Sequence, residues 1–230
     1  MKTITSRHNP LVKRIREAIR EHDAEIVLEG PKAVADAIAS GWKPLATLER
    51  GVDLSEAVFD SLAGTKQTQG VLGLFERPHA TAARILARRD TIAVALDGVQ
   101  DPGNVGTIIR LAAAFDAAGL LLLPGCADPY GPKAIRSSAG AILNVLVASI
   151  TEEELLSSGV PLVATAMHGA AADPPARDAV LVFGNEGSGV SEEILRRATA
   201  LAIPMSARVE SLNVASSAAI LLSRSYAMRT

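Results

Sequence analysis

Three clusters of polar and glycine residues in this 230-residue chain have types and spacings suited to chemistry. The first is Asp97-Gly-Val-Gln-Asp-Pro-Gly-Asn-Val-Gly106, between an apolar run and a helical pattern. Gly103 and Gly106 leave backbone N–H groups bare where a helix begins, a position that favours an anion. Arg110 follows one turn after Gly106 and off the apolar stripe, so its guanidinium can reach along an uncrowded face; a solvated arginine on an ordinary strand–helix unit is the plain alternative. The second cluster is Phe183-Gly-Asn-Glu-Gly-Ser-Gly-Val190, a loop whose glycines let a ligand approach the backbone closely. Its glycines at 184, 187 and 189 fit neither the G-x-G-x-x-G dinucleotide pattern nor a P-loop. Glu186 is a carboxylate among glycines, either a functional group or a solvated loop residue. The third cluster joins Ile203-Pro-Met-Ser206 to Glu210-Ser-Leu-Asn-Val-Ala215, where Ser211 or Asn213 can cap a following helix. A softer fourth contains Asp128, Lys133, Arg136 and residues 137–140. There Lys133 and Arg136 share one helix face and either hold phosphate or simply meet solvent.

The surrounding pattern supplies the elements that must position these groups. Residues 91–96, 119–123, 160–165 and 179–183 are continuous apolar runs, the signature of strands buried on both faces. Shorter strands are expected over 144–147 and 201–203. Between them, Val105, Ile108, Ile109, Ala112 and Phe115 form a helical stripe, and 133–139 reads as a short helix. Thr151 with Glu154 makes a capping box, Ser191 can cap a helix over 192–198, and 214–228 reads as the last helix. This alternation predicts an α/β fold, a parallel sheet with helices on both faces, over 91–230. Residues 1–78 have a different character. Helical spacing over 11–19, strands over 26–28, 45–48 and 71–75, a helix over 33–39 closed by Gly41, and a turn over 64–70 make a small α/β unit. Residues 79–90 read as a partly helical linker.

Composition narrows the function. Hydrophobic residues are 48% of the chain, enough for a packed core and too many for a disordered chain, whereas aromatics are only 3%. The net charge of −2 excludes a globally basic nucleic-acid wrapper, yet residues 1–20 carry six cations against Glu17. One cysteine, Cys126, and four scattered histidines offer neither a disulfide framework nor metal-ligand spacing. With no secretory leader pattern and no apolar run long enough to span a bilayer, a cytoplasmic protein without membrane or metal is expected.

Taken in order, the loops resemble the three signature motifs of the SpoU (TrmH-like) RNA ribose 2′-O-methyltransferases of the SPOUT superfamily. Asn104, Gly106 and Arg110 with Pro132-Lys-Ala-Ile-Arg-Ser-Ser-Ala-Gly140 match the first, Gly184-Asn-Glu-Gly187 with Gly189 the second, and Ile203-Pro-Met205 with Ser211-Leu-Asn-Val-Ala215 the third. Asn144, where the family more often has a bulky apolar residue, is a mild departure. Ile4-Thr-Ser-Arg-His-Asn-Pro10 and Leu28-Glu-Gly-Pro31 are similar to the ribosomal-protein-like substrate-binding domain common in the family. The resemblance implies a trefoil-knotted C-terminal domain, S-adenosylmethionine as cofactor, and a homodimer through the last helix. It implies Arg110, Asn104, Glu186, Ser211 and Asn213 as catalytic residues, and Gly184, Ile203, Leu212, Thr165, Ala166 and Gly187 at the cofactor. Arg7, Lys13, Arg14, Lys133 and Arg136 would bind RNA, which with few aromatics to stack bases is read by shape and backbone. Ribosomal RNA, 23S in particular, is favoured over transfer RNA because of the added N-terminal domain. The alternatives are a transfer-RNA enzyme, a catalytically inactive RNA-binding protein of the same fold, and, against the missing fingerprint, a nucleotide-dependent oxidoreductase.

Overall fold

The computed structural model describes residues 3–64, 68–206 and 208–230. Lys2 of the basic segment and residues 65–67 of the expected 64–70 turn lie outside the described residues. The chain divides into two units, residues 1–78 with Tyr130–Pro132, and residues 79–129 with 133–230.

In the first unit, α1 (Pro10–Glu21) buries Val12, Ile15 and Ala18, three residues apart, and leaves Lys13, Arg14, Arg16 and Arg20 exposed. That division is what an amphipathic helix with a charged outer face requires. Asn9 caps it by accepting from Leu11 N at 2.9 Å. Strands β1 (Glu25–Glu29), β2 (Pro44–Glu49) and β3 (Val71–Glu76) form an antiparallel sheet in the order β1-β3-β2. Helix α2 (Pro31–Ala39) packs near Gly73, where an added Cβ would lie 2.9 Å from Val34 Cγ2. A short helix absent from the sequence reading, α3 (Glu56–Asp60), buries Val58 and Phe59. The protein's one tryptophan, Trp42, is buried here, edge-on to Phe75 with ring centroids 6.1 Å apart.

The second unit opens with α4 (Ala82–Leu86) inside the stretch expected to be a linker. Its Ile85 is fully buried in the core, so this stretch is packed. Strands β4 (Ile92–Asp97), β5 (Leu120–Leu122), β6 (Val147–Ser149), β7 (Leu162–Ala170), β8 (Ala179–Gly184) and β9 (Thr199–Leu201) follow. Among the described residues they form one wholly parallel sheet in the order β6-β5-β4-β8-β7-β9. Ala93, Ala95, Ala164, Val180 and Val182 build one core with Leu155 of α7 (Glu152–Ser157) and Ile194 of α8 (Glu192–Arg197). Strand alternation turns Val94, Leu96, Leu181 and Phe183 to the other face. Helices α5 (Pro102–Ala114) and α9 (Val214–Ala227), which touch each other, bury Ile108, Ile109, Ala218, Leu221 and Leu222.

Two expected strands are displaced. The one placed over 144–147 lies at β6, because residues 141–143 close a 3-10 turn in which Asn144 N donates to Ala141 O. The one placed over 201–203 is β9, since α8 ends at Arg197 and the chain extends at once. The short helix expected over 133–139 is α6 (Pro132–Ser138), and the Thr151–Glu154 capping box is complete in both directions. Ser191 precedes α8 but does not cap it with its side chain; its hydroxyl instead donates to Glu152 at 2.7 Å. Among the described residues no helix is long and apolar enough to cross a membrane.

The glycine at 106 explains how α5 and α6 meet. A Cβ there would stand 2.3 Å from Ala134 O and 2.7 Å from Ser137 Cβ, against backbone that cannot swing aside. Gly106→Ala should therefore destabilise the protein by about 1–3 kcal/mol, the usual cost of overpacking, seen as a lower denaturation midpoint at unchanged slope.

Candidate functional site

Strand order fixes where a ligand can sit. From β4 the chain turns through α5 to β5 on one side, and from β8 it turns through α8 toward β9 on the other. The loops after these adjacent parallel strands emerge side by side at their carboxyl ends, the usual ligand position in open α/β sheets. The first two polar clusters are those loops, and the third follows β9.

The start of α5 is already occupied. Asp101 caps it, accepting from Gly103 N at 2.5 Å and Asn104 N at 3.2 Å, and Lys133 Nζ lies 3.0 Å from its Oδ2. The bare N–H groups expected to draw an external anion there are satisfied by the chain's own carboxylate. Gly106 serves the packing on α6, and Lys133 is tied in an ion pair. Hydrogen bonds from the Lys133 side chain and from Gly103 N hold the Asp101 carboxyl below the ordinary aspartate range.

Asn104 links all three loops. Its Nδ2 donates to Glu186 Oε1 at 2.6 Å, and its Oδ1 accepts from Asn213 Nδ2 at 3.2 Å. Asn213 Oδ1 accepts from Ala215 N at 2.9 Å and Ser216 N at 3.4 Å, capping α9. These bonds have one polarity. The N–H groups of α9 can only donate, so they take the Asn213 oxygen and turn its amide NH2 toward Asn104. The Asn104 NH2 must then face Glu186, whose ionised carboxylate only accepts.

The glycine-rich loop is held by Asn185, a residue to which the sequence reading gave no role. Its Oδ1 accepts from Gly187 N at 2.7 Å and Ser188 N at 3.1 Å, while its Nδ2 donates to Gly98 O at 2.7 Å. Its backbone pairs in both directions with Gly189, which has φ +73°. Gly184 is obligatory because a Cβ would fall 2.1 Å from the Gly189 carbonyl carbon. Asp97 at the end of β4 accepts from Ser191 N at 2.7 Å and so pins the far end of the loop. Asn before Glu-Gly-Ser-Gly is a turn-forming signal that could have pointed to Asn185; Asp97 had no such signal, because its partner is 94 residues away.

Beside this loop lies a cavity of about 590 Å3 whose lining includes Thr165, Ala166, Gly184, Gly187, Ile203 and Leu212, all six residues expected at a cofactor. Glu186 and Ser211 line it too; Asn104, Arg110 and Asn213 do not, although Asn104 reaches Glu186 by its hydrogen bond. Its apolar walls include Phe183, Val190, Leu201 and Val214; Met205 and Glu210 of the third cluster also line it, and Met167 and His168 are lining residues to which the sequence gave no role. Arg110 is exposed on α5 without an ion pair or hydrogen bond among the described residues. Of the other cations expected to meet RNA, Arg14 is bound to Glu25 through Nε at 2.8 Å, whereas Lys13 and Arg136 are exposed without an ion pair among the described residues. Arg7 Nη2 lies 3.5 Å from Ala57 O. Burial raises the pKa of the Cys126 thiol, and its Sγ sits 3.2 Å from Leu96 O, as suits an inert side chain. Among the described residues no group of three or more His, Cys, Asp or Glu is arranged to hold a metal ion.

Residues 91–223 match the model of the SpoU rRNA Methylase family. A 23S rRNA (guanosine(2553)-2′-O)-methyltransferase of Bacillus subtilis, RlmP, is 32% identical over 88% of this chain and 84% of its own. An uncharacterized tRNA/rRNA methyltransferase of Synechocystis is 30% identical over 96% of this chain and 92% of its own. Among solved structures, an AdoMet-bound rRNA methyltransferase from Sinorhizobium meliloti superposes with a TM-score of 0.87 at 30% identity, covering 99% of this chain and 98% of its own.

The lowered Asp101 pKa gives a pH prediction. A depressed folded-state value means that the carboxylate's stabilisation is complete above the ordinary aspartate value of about 3.9 and is lost as pH falls through the lowered one. Asp101→Asn should lower the urea midpoint at pH 7. Wild type and variant should converge as pH drops below about 4, measured by unfolding curves at both pH values.

Proposed function

The chain belongs to the SpoU rRNA Methylase family, and from that premise we propose that it methylates a ribose 2′-hydroxyl of 23S ribosomal RNA. At the coarser level it is an RNA 2′-O-ribose methyltransferase that uses S-adenosylmethionine. The cavity fits that cofactor. Its volume of about 590 Å3 is of the right order for a nucleoside-sized ligand, Phe183, Leu201, Ile203 and Leu212 give it apolar walls, and among the described residues no lysine or arginine lines it to repel a sulfonium. S-adenosylmethionine, when bound, supplies a methyl group already activated for displacement.

The residues of the chain then do the rest. Phe183, Leu201, Ile203 and Leu212 give adenine an apolar slot, and the backbone at 165–166 and 184–187 offers polar edges. Arg110 stabilises the negative charge that develops on the ribose oxygen as it attacks. An arginine guanidinium is a fixed positive charge, so it acts by charge and not as a base. The hydroxyl proton passes to Glu186, which spends one oxygen on Asn104 and makes no hydrogen bond through Oε2 among the described residues. Asn104 and Asn213 orient this carboxylate and the ribose, with Ser211 beside them, and such positioning supplies several kcal/mol of barrier reduction. The observation that carries the reading is the Asn213–Asn104–Glu186 chain, which ties the three motif loops together at the edge of the cavity.

RNA phosphates are taken by Arg7, Lys13 and Arg136, with Arg14 and Lys133 contributing from their ion pairs. Ribosomal RNA is favoured over transfer RNA because the RlmP match covers 88% of this chain, more than the methyltransferase domain alone. The trefoil knot and a homodimer through α9 belong to the same proposal. Ser216, Ser223 and Ala227, exposed at helical spacing along α9, leave room for a second copy to approach.

Arg110→Ala should lower methyl transfer to ribosomal RNA by about 10²–10³-fold while leaving S-adenosylmethionine affinity within about twofold of wild type, and Arg110→Lys should not restore the rate. Tritiated methyl incorporation with calorimetric cofactor binding reads both, and normal turnover by Arg110→Ala removes it from the chemistry. Lys13→Ala should weaken RNA binding and reduce the slope of log affinity against log salt by about one, measured by filter binding at several salt concentrations.

A further inference from the structure

The cavity has an unusual charge balance for a site that must hold an amino-acid carboxylate. Among the described residues its ionisable lining is His168, Glu186 and Glu210, two carboxylates and one imidazole, with no lysine or arginine. Among the described residues Glu186 is hydrogen-bonded only to the neutral Asn104 amide and has no cation partner. Glu210 is exposed, and among the described residues it makes no hydrogen bond or ion pair. Arg208, two residues before it, is exposed, is not a lining residue and forms no ion pair among the described residues.

We propose that Glu210 is a specificity-determining residue that makes the cavity prefer the sulfonium donor to its demethylated product. The inference rests on the cofactor assignment above. In the reaction the sulfur–methyl bond breaks, a carbon–oxygen bond forms and the ribose hydroxyl loses its proton. The positively charged sulfonium becomes a neutral thioether. The α-ammonium and α-carboxylate are common to both ligands, so the net charge falls from +1 to zero. A carboxylate lining the cavity therefore attracts the donor more than the product, by an amount that falls with distance and screening. Turnover itself removes the attraction and helps the spent cofactor leave. Glu186 contributes the same field, but it is committed to Asn104, whereas Glu210 has no second task.

The test is calorimetric titration of the full-length protein with S-adenosylmethionine, S-adenosylhomocysteine and sinefungin, an analogue with an ammonium in place of the methylsulfonium. Wild type should bind S-adenosylmethionine and sinefungin more tightly than S-adenosylhomocysteine. Glu210→Gln should reduce the donor-over-product preference by about three- to tenfold, with S-adenosylhomocysteine affinity nearly unchanged and sinefungin following the donor. Glu210→Asp should keep most of the preference, and added salt should erode it in wild type. Equal losses for donor and product would overturn the proposal, because they would place Glu210 on the shared ammonium or in the loop's shape; unchanged affinities would also overturn it. If wild type binds none of the three ligands, the cofactor assignment itself falls.

Discussion

Two side-chain hydrogen bonds, Asn213 to Asn104 and Asn104 to Glu186, bridge 109 and 82 residues of sequence. They join the three polar loops of the second unit. Their polarity starts at the first turn of α9, where backbone N–H groups need an acceptor, and it ends on a carboxylate that can only accept. A reversed amide anywhere along the chain would set donor against donor and acceptor against acceptor, and both bonds would be lost. The link is therefore a directional constraint: helix capping at α9 sets how the Glu186 carboxylate is presented to the cavity.

This constraint needs a rigid frame. The parallel pairing of β4 with β8 brings Asp97 beside Gly184, so the loops that follow emerge as neighbours. Asn185 then stitches the glycine-rich loop to Gly98, and Asp97 holds its end at Ser191. Glycines at 184 and 106 permit the close approaches, one of loop on loop and the other of α5 on α6. Side chains that seem to belong to ligand chemistry are in these places structural, and the ligand-facing surface is what remains after the backbone has been satisfied.

Much of this was legible in the sequence. Continuous apolar runs located the buried strands β4, β5 and β8, and the spacing of Val105, Ile108 and Ile109 located α5, because burial imposes those periods directly. The lining residues Gly184, Ile203 and Leu212 followed from motif order. What was not legible depended on partners distant in the chain. Lys133 read as either a phosphate holder or a solvated side chain, and nothing local reveals that it pairs with Asp101, 32 residues earlier. The glycine at 106 read as a place for a ligand to approach, when the atom that approaches is Ala134 O. Ser191 sits where a cap belongs, yet Glu152 takes its hydroxyl. Short strands such as β6 and β9, three residues each, moved by two or three positions because so few residues carry no period.

The scarcity of aromatics has a practical side. The sole indole of the chain, Trp42, is buried in the first unit, edge-on to Phe75. Intrinsic emission excited at the red edge of the absorption band thus reports on that unit alone, while the methyl-transferring unit is spectroscopically silent at the same wavelength. Combined with far-ultraviolet dichroism, which sees both, a single unlabelled sample can show whether the two halves of this protein melt as one cooperative body or as two.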